Sequence, residues 1–224
     1  MGMKWGADTH CAGFGCFSAY RWPLALAAAV VRGAAMSQSI IAVTTGVGPR
    51  IRLQSGGWFD LLSPATSDFT IEDIAHGLAH TCRYAGQADG FYSVAEHSLL
   101  VSVTAVGHEY TGLMHDAAEA FIGDVTRPLK QLLPEYKKIE AAIETAIFER
   151  FDVRPACTAI KHADLSVLAA EQAQIMPEGT DAWAEDAGIK RASVRVERLL
   201  PAEAKRRFLE RYRSLRLQSA TMES

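Results

Sequence analysis

The segment Leu113–Asp124 places one histidine and three carboxylates within ten residues of an otherwise apolar stretch. These residues are His115, Asp116, Glu119 and Asp124. Ionised side chains are costly to bury unless they are paired or bind a metal. On a helix, His115, Asp116 and Glu119 can surround one point, because residues three and four apart share a face. The segment therefore predicts a metal or catalytic site on a buried or cleft-facing helix.

The alternative interpretation is a surface helix whose acidic residues form salt bridges. No lysine or arginine occurs between Arg83 and Arg127, so local partners for such bridges are lacking. Asp164 strengthens the metal interpretation, because it lies on the apolar side of a later predicted helix, where an unpaired carboxylate is unfavourable. We therefore expect Asp164 to supply a further ligand.

The elements that would position these side chains are predicted to be mostly helices, and alternating strand patterns are scarce. Thr70 is expected to cap the first helix, with Asp73 bonding back to it. Ser93 and Glu96 form a second capping-box pattern, which places His97 in the first turn of the following helix. The residues of that helix expected to face the core are Leu99, Leu100, Val103 and Val106.

The remaining helices follow from caps and breakers. Gly123 is expected to end the acidic helix. Residues 124–130 are expected to form a loop or short turn, in which Arg127 and Lys130 are either cations beside the site or part of a solvated loop. Pro134 is predicted to begin a long amphipathic helix, and a final helix is predicted over Pro201–Leu215.

The amino-terminal part differs in character. Residues 1–38 are predicted to be a poorly structured extension, and an upstream start codon ahead of Met36 is the other interpretation. Residues 39–66 are predicted to form a short β-ribbon, because glycine-containing turns separate strand-like pieces. These pieces are Ile40–Thr44, Arg50–Gln54 and Trp58–Leu62.

The bulk composition restricts the class of protein. A chain of 224 residues can bury one sizeable core. Its net charge of -3 offers no electrostatic basis for binding a nucleic-acid polymer or an anionic membrane. Four cysteines without a CxxC pair favour reduced thiols and a cytoplasmic location. The apolar run Leu24–Val31 is far shorter than the roughly 20 residues that span a bilayer.

His97, the adjacent pair His115–Asp116, and Asp164 occur in the order H…HD…D on three successive helical segments. With Ser-Val-Ala-Glu-His-Ser around the first histidine and His-Asp-Ala-Ala-Glu at the second, the chain resembles the HD-domain phosphohydrolases from about residue 70 to residue 171. The 5′-deoxynucleotidase branch is the most similar. The resemblance implies an HD-domain helical bundle, which we place at residues 67–218.

The resemblance implies that His97, His115, Asp116 and Asp164 bind one divalent metal ion. Two imidazoles and two carboxylates suit Co²⁺, Mn²⁺, Zn²⁺ or a similar ion. No histidine occurs between Asp116 and His162. The resemblance implies that HD proteins which hold two metals have additional histidines in that interval, so we expect a mononuclear site.

The resemblance also implies roles for charged residues around the metal. Glu119 is expected to orient the attacking water or transfer a proton, with support from Asp124. Arg83 is expected to bind the substrate phosphate, and Lys130 matches a lysine of the family more loosely. Tyr84 stands where the 5′-deoxynucleotidases have tryptophan, so base and sugar contacts do not carry over.

The expected function is removal of phosphate from 5′-(deoxy)nucleoside monophosphates by metal-activated water. One alternative resembles small phage enzymes that remove triphosphate from dATP and share the Phe91–His97 type of segment. Another is a non-catalytic nucleotide sensor, although the presence of Glu119 and Asp124 argues against it. A helical protein with chance polar residues would bind no metal. The expected partner is a small nucleotide, and the resemblance also suggests a homodimer.

Overall fold

The computed structural model describes residues 48–222, which are mostly helical and include one small two-stranded sheet. This confirms the predicted all-α fold with a small β-ribbon. The predicted extension and the strand-like piece Ile40–Thr44 lie outside the described residues. After the ribbon the chain forms α1 (Ile71–His80), α2 (Val94–Thr104), α3 (Glu109–Met114), α4 (Glu119–Ile122), α5 (Arg127–Leu132), α6 (Pro134–Phe151), α7 (Thr158–Ile175), α8 (Trp183–Asp186) and α9 (Pro201–Met222).

The ribbon pairs β1 (Arg50–Arg52) with β2 (Trp58–Asp60) in antiparallel register. The two strands start at the predicted residues and end two residues earlier, and the turn between them contains Gly56 at φ 93°. Phe59 is fully buried, and its ring stacks on Phe121 of α4 with centroids 3.8 Å apart. The ribbon is therefore anchored to the helix that follows His115 and Asp116.

Helix α1 begins as predicted and packs closely on α4. Thr70 accepts a hydrogen bond from the Asp73 backbone N–H, and the Asp73 carboxylate bonds back to the Thr70 N–H, so the capping box is confirmed. Gly77 faces the backbone of Ala120, where an added Cβ would lie 2.8 Å from the Ala120 Cα. Glycine at this position allows α1 and α4 to approach within backbone contact.

Helix α2 differs from its prediction in two respects. Ser93 caps the helix by accepting the Glu96 N–H. The Glu96 carboxylate, however, accepts hydrogen bonds from the backbone N–H groups of residues 197–199. Only the Ser93 hydrogen bond of the predicted capping box is therefore present. Val103 and Val106 are 54% and 81% exposed, so their prediction as core residues was wrong. Several polar side chains of α2 are buried instead, and this removes the amphipathic period on which that prediction relied.

The acidic segment forms two short helices rather than one. Helix α3 ends at Met114, and His115–Ala118 form a tight turn before α4 begins at Glu119. The turn contains i→i+3 bonds, including Glu119 N–H to Asp116 O, that shorten the helical repeat. Gly123, at φ 77°, ends α4 as predicted, and its N–H bonds to the Glu119 carbonyl. The turn places His115 and Asp116 at a break in the helix, with Glu119 directly after it.

Residues 124–126 form the predicted loop, but the prediction was wrong from residue 127 onward, because Arg127–Leu132 form α5. The cause is Pro128, which occupies the first turn, where a missing N–H costs nothing. Lys130 consequently lies on a helix. Pro134 then begins α6 as predicted.

Helices α7 and α9 complete the bundle. Helix α7 carries Asp164 near its middle. Helix α9 extends beyond the predicted Leu215, and its residues Ala204 and Phe208 are fully buried. Among residues 48–222, no helix has the length and apolarity needed to cross a bilayer.

The Gly77→Ala substitution is expected to destabilise the protein. Alanine at a helix position normally gains about 1 kcal/mol over glycine. Here the added methyl meets backbone atoms of Ala120, which cannot rotate away, and overpacking of this kind costs about 1–3 kcal/mol. The urea midpoint of unfolding should therefore fall. The control Ala142→Gly, on the exposed face of α6, measures the effect of helix propensity alone. A raised urea midpoint for Gly77→Ala would contradict the close contact between α1 and α4.

Candidate metal centre

His97 is held in the first turn of α2 and is fully buried. Its Nδ1 lies 2.6 Å from Glu171 Oε1. Its Nε2 faces the opposite way, 3.2 Å from Asp164 Oδ1 and 3.5 Å from Asp116 Oδ2. One ring nitrogen is therefore engaged by Glu171, and the other faces two carboxylates.

His115 presents the same arrangement from the turn between α3 and α4. Its Nδ1 lies 2.8 Å from the Gly112 carbonyl, which can only accept, so Nδ1 carries the proton. Its Nε2 lies 3.1 Å from Asp116 Oδ2 and 3.9 Å from Asp164 Oδ1. The second imidazole thus also directs Nε2 at the two carboxylates.

The potential ligand atoms of His97, His115 and Asp116 lie within 4.8 Å of one another, so this group can hold a metal ion. Asp164 adds a carboxylate oxygen beside both imidazoles. Both Nε2 atoms are buried, and their close contacts with the carboxylate oxygens do not have hydrogen-bond geometry in the described part of the chain. Buried nitrogens without a hydrogen bond are rare in proteins and fit ligation of a metal. The structure therefore brings together all four residues that were predicted as ligands.

The cluster is electrostatically coupled. Burial and the charge of Arg83 would lower the pKa of His97, but Glu171 and Asp164 outweigh them and raise it to about 10. Burial would raise the pKa of Asp116, but the neighbouring imidazolium rings and Arg83 hold it well below its usual range. In the ion-free chain, protons on the imidazoles therefore compensate the carboxylates, and a metal ion must displace them.

Glu119 lies beside the cluster and is 5% exposed. Its Oε1 lies 3.2 Å from Lys130 Nζ, and its Oε2 is buried without a hydrogen-bond partner in the described part of the chain. Burial, together with the charges of Asp116 and Asp124, raises the pKa of Glu119 to about 9. Lys130 Nζ also binds Glu140 at 2.7 Å. Without a bound cation, Glu119 is therefore a buried carboxyl that favours its protonated form.

Arg83, which was expected to bind a substrate phosphate, is largely buried. Its side chain is 10% exposed, and the residue begins the tight turn Arg83–Gly86. Its Nη1 is 3.6 Å from Asp116 Oδ2, and its Nε is 3.5 Å from Glu171 Oε2. The guanidinium therefore neutralises two carboxylates of the site.

Glu171 is a site residue to which the sequence reasoning assigned no role. It is fully buried on α7, and besides His97 it binds the hydroxyl groups of Tyr84 and Tyr92. Burial would raise its pKa, but the positive charges of His97 and Arg83, with hydrogen bonds, lower it to about 2. Its sequence signal was present, because Glu171 follows Asp164 by two helical turns on the same apolar side.

These features define a helical protein with a buried His/Asp cluster that can hold a metal ion. No family model matches the chain. An uncharacterized protein of Escherichia coli K12, YfdR, is 38% identical over 151 residues, which cover 66% of this chain and 85% of YfdR. An uncharacterized protein of Rhodobacter capsulatus is 39% identical over 140 residues, which cover 55% of this chain and 71% of that protein. The chain belongs to the same family as YfdR.

Metal content provides a direct test of the cluster. We expect elemental analysis of the purified protein to find about one divalent ion per chain, as four ligands of this kind hold one ion. His115→Ala removes a ligand and should lose the ion. The matched control His76→Ala removes a histidine of α1 that is outside the cluster and should keep it. Equal metal content in both variants would exclude His115 as a ligand.

The affinity for metal should increase with pH. The pKa of His97 is about 10 in the ion-free chain, so binding near neutral pH must release a proton. For each proton displaced, affinity should rise about tenfold per pH unit. Competition titration of Co²⁺ against a chromophoric chelator between pH 6 and pH 8 measures this slope. A pH-independent affinity would show that no ligand proton is displaced.

Proposed function

We propose that the protein is a divalent-metal-dependent phosphohydrolase that removes phosphate from 5′-(deoxy)nucleoside monophosphates. The observation that carries the proposal is the convergence of two buried imidazole nitrogens on the carboxylates of Asp116 and Asp164, in contacts that lack hydrogen-bond geometry. This donor set suits Co²⁺, Mn²⁺ or Zn²⁺. Such an ion, when bound, lowers the pKa of a water molecule and neutralises charge on a phosphoryl group.

Glu119 is the proposed proton acceptor. Its Oε2 is buried, unpartnered among the described residues and not used by Lys130, which binds Oε1. The positive charge of a bound metal ion would favour the ionised form of Glu119. Oε2 would then be the oxygen that orients the attacking water and takes its proton. Asp124 supports this role through its charge, which contributes to the raised pKa of Glu119.

Arg83 and Lys130 are the proposed cations for the phosphate. Lys130 is 23% exposed, and Arg83 lies against Asp116. A phosphate dianion entering this region would meet both positive charges, which supports recognition of a phosphorylated substrate. Because each cation already has a carboxylate partner, substrate binding would exchange one anionic partner for another.

The choice of nucleoside monophosphates rests on the resemblance to the 5′-deoxynucleotidases. Incubation of the metal-loaded protein with dAMP and with dATP, under Co²⁺, Mn²⁺ or Zn²⁺, tests that choice. We expect inorganic phosphate from dAMP and no triphosphate from dATP. Release of triphosphate from dATP would instead identify a triphosphohydrolase. Tight nucleotide binding without any hydrolysis would identify a sensor.

Glu119→Gln should reduce turnover and preserve metal binding. Loss of general acid–base catalysis typically lowers kcat about 10²- to 10⁴-fold, whereas the proposed ligands are untouched. Phosphate release and elemental analysis measure the two effects separately. The control Glu149→Gln, at an exposed position of α6, makes the same chemical change away from the site and should behave like the wild type. Full activity of Glu119→Gln would remove Glu119 from the mechanism.

A further inference from the structure

The Glu171 carboxylate is fully enclosed by hydrogen-bond donors. Its Oε1 accepts the Tyr92 hydroxyl at 2.6 Å and pairs with His97 Nδ1 at 2.6 Å. Its Oε2 accepts the Tyr84 hydroxyl at 2.7 Å. A buried carboxylate with this many donors has a fixed orientation, because any rotation would leave a charged oxygen unpaired.

The orientation of Glu171 determines which nitrogen of His97 faces the cluster. An ionised carboxylate only accepts hydrogen bonds, so His97 Nδ1 donates to it. The ring then directs Nε2 toward Asp164 and Asp116. Carboxylates that bind the distal nitrogen of a metal-binding histidine fix its tautomer and ring orientation in the same way.

The two tyrosines reach Glu171 from both ends of one loop. Tyr84 and Ala85 adopt left-handed backbone angles, at φ 56° and 51°, a conformation that side chains with a Cβ rarely adopt. The Arg83 N–H bonds to the Tyr92 carbonyl, and Cys82 pairs with Ser93 in an isolated bridge, which closes the loop. The closed loop holds both hydroxyl groups against the same buried carboxylate.

We propose that Tyr84 and Tyr92 are positioning residues, which hold the Glu171 carboxylate so that it fixes the His97 ring with Nε2 toward the metal ligands. The inference rests on the metal centre of the proposed function and is independent of hydrolysis. Tyr84, the residue after Arg83, thereby supports the metal ligand His97, because its hydroxyl is bonded to Glu171.

Co²⁺ titration of Tyr84→Phe, Tyr92→Phe and Glu171→Gln tests this role. Loss of the carboxylate should weaken Co²⁺ binding about 10- to 100-fold. Each tyrosine variant should show a smaller loss and an altered Co²⁺ absorption spectrum. Tyr110→Phe is the matched control, because the Tyr110 hydroxyl is part-buried and donates to the Phe151 carbonyl at 2.7 Å. The control should keep wild-type affinity and spectrum.

A double-mutant cycle separates positioning through Glu171 from a general loss of packing. Tyr84→Phe should weaken Co²⁺ binding in the wild type and have no further effect in the Glu171→Gln background. An equal loss in both backgrounds would overturn the proposal, as would tyrosine variants that bind Co²⁺ like Tyr110→Phe.

The His97 ring can also be observed without metal or substrate. In ¹⁵N NMR spectra of the metal-free protein, we expect His97 Nδ1 to be protonated and hydrogen-bonded in the wild type, with this signal perturbed in both tyrosine variants. An unchanged His97 signal in Tyr84→Phe and Tyr92→Phe would overturn the proposal even if Glu171→Gln failed to fold. Neither readout requires hydrolysis, so an inactive wild type would contradict only the proposed function.

Discussion

The structure depends on the neutralisation of several carboxylates that lie close to one another in partly or fully buried positions. An uncompensated buried charge costs several kcal/mol, and one neighbourhood contains several acids. Each acid is matched by a cation or an imidazole from another part of the chain. The acids are Asp116, Glu119, Asp164 and Glu171, and the compensating groups are Arg83, His97, His115 and Lys130. The helices are held together by this charge balance as well as by their apolar core.

Elements with local signals could be predicted from the sequence. The Thr70 cap, the turn containing Gly56 and the start of α6 at Pro134 each depend on neighbouring residues alone. The predictions failed where contacts with residues distant in the sequence determine the hydrogen bonds or the burial of a side chain. Glu96 binds backbone groups about a hundred positions away instead of completing its capping box, and burial of polar groups in α2 leaves Val103 exposed.

The candidate site also contains residues that the sequence identified and contacts that depend on the packing of distant segments. The four expected ligands were found because short motifs, and a carboxylate on the apolar side of a predicted helix, mark them in the sequence. The burial of Arg83 and the contacts of Glu171 were not foreseen, because they depend on how α2, α7 and the loop between residues 83 and 92 pack. The sequence therefore indicates which side chains meet, whereas only the fold shows how each is oriented.

Glu96 also bears on the order in which the molecule assembles. Its buried carboxylate is satisfied by the backbone N–H groups of residues 197–199, while the next residue, His97, belongs to the candidate metal cluster. Until residues 197–199 dock, the Glu96 carboxylate stays hydrated, because burying it without donors would be unfavourable. Closing so long a loop slows folding. During synthesis the first turn of α2, which carries His97, would therefore reach its final packing only after residues 197–199 have left the ribosome.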